Sequence, residues 1–162
     1  MSKVLIIAPH PDDETLGCGG AMLRHIAQGD EVYWWIATSM HVGDNYSASD
    51  LEKRDEVIDR VTREYKFSSV IQAGWETGTL CSSMMGVIIR SLSGVFEEIQ
   101  PDTVYAPFFN DVHSDHRLIG RAVEACGKSF RSPWVKKIRL YETLSETEQT
   151  FQALGPVFAP NT

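Results

Sequence analysis

The chain has 162 residues, 43% of them hydrophobic, which suffices for one domain around one sizeable core. A formal net charge of −7 excludes a general nucleic-acid binder, which needs a basic face to neutralise phosphates. No apolar stretch exceeds strand length, so no membrane span is expected, and Met1-Ser2-Lys3 runs directly into a strand without a signal-peptide pattern.

Val4 to Ala8 is apolar without alternation, as befits a strand covered on both faces. Leu16, Gly20, Leu23 and Ala27 then follow helical spacing until Gly29-Asp30. Val32 to Ala37 is a second strand by its aromatic and β-branched content. Thr38 to Ser49, with Gly43-Asp44-Asn45, reads as a long loop of the functional kind. A helix from about Ser49 places Leu51, Ile58, Val61 and Tyr65 on one face, and Ser69 to Gln72 is a short third strand before a loop at Gly74 to Thr79. Ile88, Leu92, Val95, Phe96 and Ile99 mark a helix, Thr103 to Ala106 a fourth strand, and Ile119, Ala122, Val123 and Cys126 another helix. Ile138 to Tyr141 closes the series as a fifth strand. Repeated β-α units predict a Rossmann-like three-layer α/β/α fold with a mostly parallel sheet and no internal domain boundary.

Two loops concentrate the chemistry. His10-Pro11-Asp12-Asp13-Glu14 leaves the first strand and opens the first helix, at the carboxyl edge of the sheet where α/β folds build sites. Three acids in one turn repel each other, and a divalent cation would offset that repulsion. Asn110-Asp111-Val112-His113-Ser114-Asp115-His116 makes the equivalent passage from the fourth strand. His113 and His116 are three apart, which sets both on one side of a helical first turn. With His10 and Asp13 they form a nitrogen and oxygen set suited to Zn²⁺, with Fe²⁺, Co²⁺ and Ni²⁺ as substitutes. The bland alternatives are histidine caps and acids that favour the positive end of a helix. Two such clusters at equivalent strand ends favour the metal. Cys18, Cys81 and Cys126 are widely spaced, form no CxxC pair and fit reduced thiols of a cytoplasmic protein.

The run Ala8-Pro9-His10-Pro11-Asp12-Asp13-Glu14-Thr15-Leu16-Gly17-Cys18-Gly19-Gly20, with the later His113-Ser114-Asp115-His116, resembles the PIG-L/LmbE-like zinc de-N-acetylases. Tyr141 to Glu148 also resembles a segment of bacterial members. The resemblance implies one zinc per chain held by His10, Asp13 and His116. It implies Asp12 as general base, His113 as the group that stabilises or protonates the tetrahedral intermediate, and Asp115 as the acid that tunes His113; an acid near His113 is expected to raise its pKa and hold it charged. The substrate it implies is a small N-acylated amino-sugar conjugate, with hydrolysis of its amide by metal-activated water.

Other positions stay open. Lys53 or Arg54, shortly before Glu56, could hold a substrate hydroxyl or phosphate, or both could be solvated surface. Glu76 could replace an acid that grips sugar hydroxyls in related enzymes. Glu14 is either support for a ligand or helix N-terminal charge. Gly17, Gly19 and Gly20 lack GxGxxG spacing and are read as close helix-sheet packing, and Trp75 as core. Tyr46, Trp75 and Phe109 lie in loops expected near the pocket. Residues 1–162 are expected to form a single deacetylase domain without the C-terminal portion usual in the family, its pocket complete by itself or with a second copy as a homo-oligomer. Two other functions compete. A metallophosphoesterase would want two bridged metals, and ligands for only one are counted. A non-catalytic metal-bound sugar-binding module would need neither Asp12 nor His113.

Overall fold

The computed structural model describes residues 1–42, 46–144, 146–150 and 155–160. The Gly43-Asp44-Asn45 turn, Ser145 and Asn161 therefore lie outside the described residues. In chain order the elements are β1 (Lys3–Ala8), α1 (Asp13–Ala27), β2 (Glu31–Ser39), α2 (Ala48–Tyr65), β3 (Ser69–Glu76), α3 (Met85–Ile99), β4 (Thr103–Pro107), α4 (Ser114–Cys126) and β5 (Lys137–Tyr141).

The five strands form one sheet in the order β3-β2-β1-β4-β5, and each neighbouring pair is parallel. Parallel neighbours need long crossovers, and these carry the helices onto both faces. Alternation along β1 divides the core between them. Leu5 and Ile7 join one apolar cluster with Ile88, Leu92, Phe96, Ile119 and Val123 of α3 and α4. Val4, Ile6 and Ala8 join the other with Cys18 and Met22 of α1 and Ile58 of α2. The result is the three-layer α/β/α arrangement expected from the sequence. No helix among the described residues is long and apolar enough to cross a membrane.

The topology places the site. From β1 the chain moves outward to β2 and β3, then α3 carries it back past β1 to β4. The strand order reverses between β1 and β4, and a crevice opens there at their carboxyl ends. Both chemistry-bearing turns, after β1 and after β4, meet in that crevice.

Strand β3 runs on to Glu76, past the expected end at Gln72. Its register against β2 shifts between Ile36 and Thr38, after which Thr38 pairs with Trp75 and Ser39 with Glu76. Ala73-Gly74 breaks the apolar run, so the pattern hides the extension, but Trp75 packs edge-on against Trp35 at 5.8 Å and holds it in the sheet. Trp75 is core, as expected. Of the three glycines in α1, Gly17 has the clearest packing reason. A Cβ there would lie 2.1 Å from Cδ2 of Tyr141, whose hydroxyl donates to the Ile7 carbonyl at 2.8 Å. A Cβ on Gly19 would sit 3.0 Å from the Tyr65 hydroxyl, whereas Gly20 faces open space, so the packing reading does not extend to it.

Candidate metal centre

The β1–α1 turn is tied down before any side chain is aimed. The Pro9 carbonyl accepts the Thr38 N–H (3.0 Å) and hydroxyl (2.9 Å), anchoring the turn to β2. The His10 carbonyl accepts the N–H of Asp12 at 3.0 Å, and the His10 N–H donates back to Asp13 Oδ2 at 2.8 Å. Asp13 is thereby buried and turned inward. Asp12 stands at the N-cap of α1 but makes no side-chain capping bond, so its carboxylate is left uncapped in the cavity wall.

The β4–α4 turn is fastened in the same manner. Asp111 Oδ1 accepts the His113 N–H at 2.8 Å, while Arg117 donates to the carbonyls of Asp111 (2.6 Å) and Val112 (2.7 Å). His113 caps α4, its Nδ1 accepting the Asp115 N–H at 3.1 Å. That bond leaves the His113 proton on Nε2. One turn later His116 is fully buried beneath the crevice.

Three atoms from these turns converge. His10 Nδ1 lies 3.3 Å from Asp13 Oδ2, His116 Nε2 lies 3.3 Å from the same oxygen, and the two imidazole nitrogens are 3.3 Å apart. Ligands about 2.0–2.1 Å from a tetrahedral zinc are separated by about 3.3–3.4 Å, so this triangle has the dimensions such an ion requires. The other nitrogen of each histidine meets its own carboxylate. His10 Nε2 is 3.1 Å from Asp115 Oδ2, and His116 Nδ1 is 3.4 Å from Asp111 Oδ2, long for a hydrogen bond but correctly placed to orient the ring.

The electrostatics agree with a cation position. Burial pushes the His10 imidazolium down, but hydrogen bonds to Asp115 and Asp13 overcome this and lift its pKa to about 9. Burial likewise opposes the His116 cation, and Asp111 and Asp13 raise it to about 10. Burial would raise Asp13, yet its bonds to His10 and His116 hold it well below the usual carboxylate range. A field that retains protons this firmly on two imidazoles favours any positive charge placed between them. The donor set and its dimensions fit zinc.

A cavity of about 320 Å³ opens over this triangle, with Asp12, His113, Arg54 and Tyr46 among its walls. Burial and repulsion from Asp13 raise the Asp12 pKa above its ordinary value, with Arg54 opposing. His113 meets the His10 ring edge-on at 4.5 Å between centroids and stacks on the His116 ring at 4.9 Å. His113 also falls in a group with His10 and His116 whose candidate ligand atoms all lie within 4.8 Å of one another. The 3.3 Å triangle is the tighter set, and it leaves His113 free.

The relation expected between Asp115 and His113 is corrected by the structure. Asp115 Oδ2 accepts from His10 Nε2 and from the Gly78 N–H at 2.8 Å, and it meets His113 only through its own backbone N–H. Burial, then the His10 and His116 cations, lower the His113 pKa, outweighing the pull of Asp115. The net shift of His113 is thus downward, opposite to the expected support of its charged form.

Among the substrate candidates, Arg54 reaches the cavity, its Nη1 donating to the Pro11 carbonyl at 3.0 Å. Lys53 is exposed and pairs with Asp50 at 3.6 Å, and Glu76 is exposed outside the cavity walls. Glu14 is buried, accepts the Thr15 hydroxyl at 2.6 Å and touches neither histidine, and burial raises its pKa to about 7. Tyr46 lines the cavity; Phe109 instead packs against Phe108 and beneath Arg121.

Sequence reasoning passed over Asp111, Thr143, Glu146 and Thr147. Thr143 donates to Asp13 Oδ1 at 3.3 Å, and Thr147 donates to Asp111 Oδ2 at 2.5 Å. Glu146 Oε2 lies 3.3 Å from His116 Nε2. A threonine or glutamate after a strand carries no spacing signal of its own. Gly78 carries no signal of its own in the sequence, yet its φ of +77° turns its N–H onto Asp115.

The profile of the PIG-L family, described as GlcNAc-PI de-N-acetylase, matches residues 5–126. A Bacillus cereus protein named probable N-acetyl-alpha-D-glucosaminyl L-malate deacetylase 2 is 26% identical over 129 residues, 74% of this chain and 58% of the relative. The chain thus spans 58% of that curated relative's length. A conserved protein of Thermus thermophilus superposes with a TM-score of 0.75 and 25% identity, covering 99% of this chain and 70% of the other. The N,N'-diacetylchitobiose deacetylase of Pyrococcus horikoshii gives a TM-score of 0.70 and 25% identity, covering 86% and 60%.

Proposed function

This chain belongs to the PIG-L family, and from that we propose that it is a zinc-dependent hydrolase removing an N-acyl group from an amino-sugar conjugate. The observation that carries the reading is the 3.3 Å triangle of His10, Asp13 and His116 with Asp12 and His113 beside it, lining the cavity and committed to no ligand role. The named relatives act on N-acetylglucosaminyl malate and diacetylchitobiose, which supports an N-acetylated amino sugar as the substrate class.

An amide is a poor electrophile and water a poor nucleophile at neutral pH. Zinc, when bound, lowers the pKa of water towards about 7 and polarises a carbonyl. His10, Asp13 and His116 would hold it, with Asp115 and Asp111 fixing the histidine rings. Asp12 takes the proton of the attacking water, and its raised pKa brings it closer to the working pH of a general base. His113, whose Nδ1 accepts the Asp115 N–H, donates its Nε2–H to the oxygen that becomes negative as the carbonyl carbon turns tetrahedral. The carbon–nitrogen bond then breaks, the proton held by Asp12 passes to the leaving amine, and the acyl group departs as a carboxylate once its remaining hydroxyl proton has passed to the amine, which leaves as an ammonium. Arg54 braces the Pro11 carbonyl beside Asp12 and presents a cation to the cavity, where it would meet a hydroxyl or anionic group of the conjugate.

The test is amine release from a panel of N-acetylglucosamine conjugates, using protein loaded with one zinc equivalent and a chelated control. Release is expected with zinc and absent from the control. Asp12→Asn is expected to lower it about 10²–10⁴-fold, the range for a positioned proton acceptor, while zinc stays bound. Silence across the panel with one tightly held zinc would favour a sugar-binding module. Equal loss of zinc and activity in Asp12→Asn would put Asp12 among the ligands.

A further inference from the structure

The turn after β5 brings a carboxylate to the metal centre that the three-ligand arrangement does not use. The N–H groups of Glu146 and Thr147 donate to the Thr143 carbonyl at 3.2 and 3.0 Å, closing the turn. The Thr147 hydroxyl accepts the Thr143 N–H at 2.8 Å and donates to Asp111, while the Thr143 hydroxyl donates to Asp13. Both threonines are buried, so the turn is bolted to an acid of each active-site loop.

Glu146 projects from the middle of this turn. Its Oε2 lies 3.3 Å from His116 Nε2, is shielded from solvent and receives no hydrogen bond. A buried carboxylate oxygen facing an imidazole lone pair is a repulsive arrangement. Something positive must lie between them, a proton or a metal ion. Around His116 Nε2 there are then three donor atoms at one distance, 3.3 Å: His10 Nδ1, Asp13 Oδ2 and Glu146 Oε2. Asp111 is the other acid grouped with His116 and Glu146, but it faces Nδ1 and is occupied by Thr147 and the His113 N–H. Glu146 has no such second employment among these contacts.

We propose that Glu146 is a further protein ligand of the metal held by His10, Asp13 and His116, delivered by the Thr143–Thr147 turn. This rests on the metal-site reading above. Zinc can expand to five partners, so a fourth protein group still leaves one position for water or substrate. The carboxylate also offsets charge: with Asp13 it supplies two negative charges to balance a divalent ion.

The experiment compares wild type, Glu146→Gln and Glu146→Asp for zinc affinity, by competition with a chromogenic chelator, and for the visible spectrum of the cobalt(II)-loaded protein. Glu146→Gln keeps the shape and removes the charge. At least a tenfold loss of zinc affinity and an altered cobalt spectrum are expected, with Glu146→Asp recovering part of both. Zinc affinity within twofold of wild type and an unchanged spectrum would overturn the proposal while leaving the three-ligand site standing. A His116→Ala control that binds zinc as tightly as wild type would overturn the metal-site reading and this proposal with it.

Discussion

Replacing Asp115 by Asn separates what the structure assigns to this acid from what its place in the sequence suggests. Asp115 is fully buried, and its Oδ2 accepts from His10 Nε2 at 3.1 Å and the Gly78 N–H at 2.8 Å. The amide retains an oxygen for both bonds but loses the negative charge. Hydrogen bonds to a charged group contribute about 1.5–3 kcal/mol and neutral ones about 0.5–1.5, so the His10 contact weakens by about 1–1.5 kcal/mol. That is about tenfold in zinc affinity, at the lower end of the roughly 10–100-fold found for outer partners of metal ligands. The same weakening of about 1–1.5 kcal/mol is the expected loss of folding stability, because the amide nitrogen takes the place of Oδ1, a buried atom that already has no partner. Chelator competition reads the first effect and urea denaturation the second. If Asp115→Asn bound zinc with wild-type affinity and shifted only the pH limb belonging to His113, Asp115 would act on His113 and the assignment to His10 would be wrong.

Gly17→Ala is expected to destabilise the fold by about 1–3 kcal/mol, because its Cβ collides with the Tyr141 ring held against Ile7, and a wild-type urea midpoint would refute that packing. Zinc binding at pH 7 is expected to release more than one proton per ion, since His10 and His116 have pKa values of about 9 and about 10 without metal. Calorimetry in buffers of different ionisation enthalpy measures this, and release of under half a proton would contradict the electrostatics. The same raised values bear on the metal-free fold. Folded-state pKa values above the unfolded value of about 6.5 give stability that is complete below that pH and is lost as pH rises through 9 to 10. The urea midpoint of chelated protein is therefore expected to fall between pH 7 and 10, and a flat profile would count against it.

The sequence alone determined the layers, the strand count and the two loops that carry the chemistry. Unbroken apolar strands such as Val4–Ala8 demand cover on both faces, and alternating helices supply it. His10, Asp13, His113 and His116 were legible as a metal-suited set by their types and their place at strand ends that a parallel sheet gathers on one edge, and the family resemblance singled out His10, Asp13 and His116 among them. Tertiary structure decided the partners. The side chain of Asp115 looks local to His113 in sequence, yet helical geometry swings it across the crevice to His10, 105 positions away. Arg54 and Lys53 are indistinguishable in sequence, and the direction in which α2 faces puts only Arg54 in the cavity. Thr143, Glu146 and Thr147 fall in a segment that resembles the family, but no role is legible for any of them, because hydroxyls and carboxylates after a strand are ordinary. Their meaning arises only when β5, at the sheet edge beside β4, delivers them onto Asp13, His116 and Asp111. Residue type and spacing reveal a ligand, whereas its supports are chosen by proximity, which the chain acquires on folding.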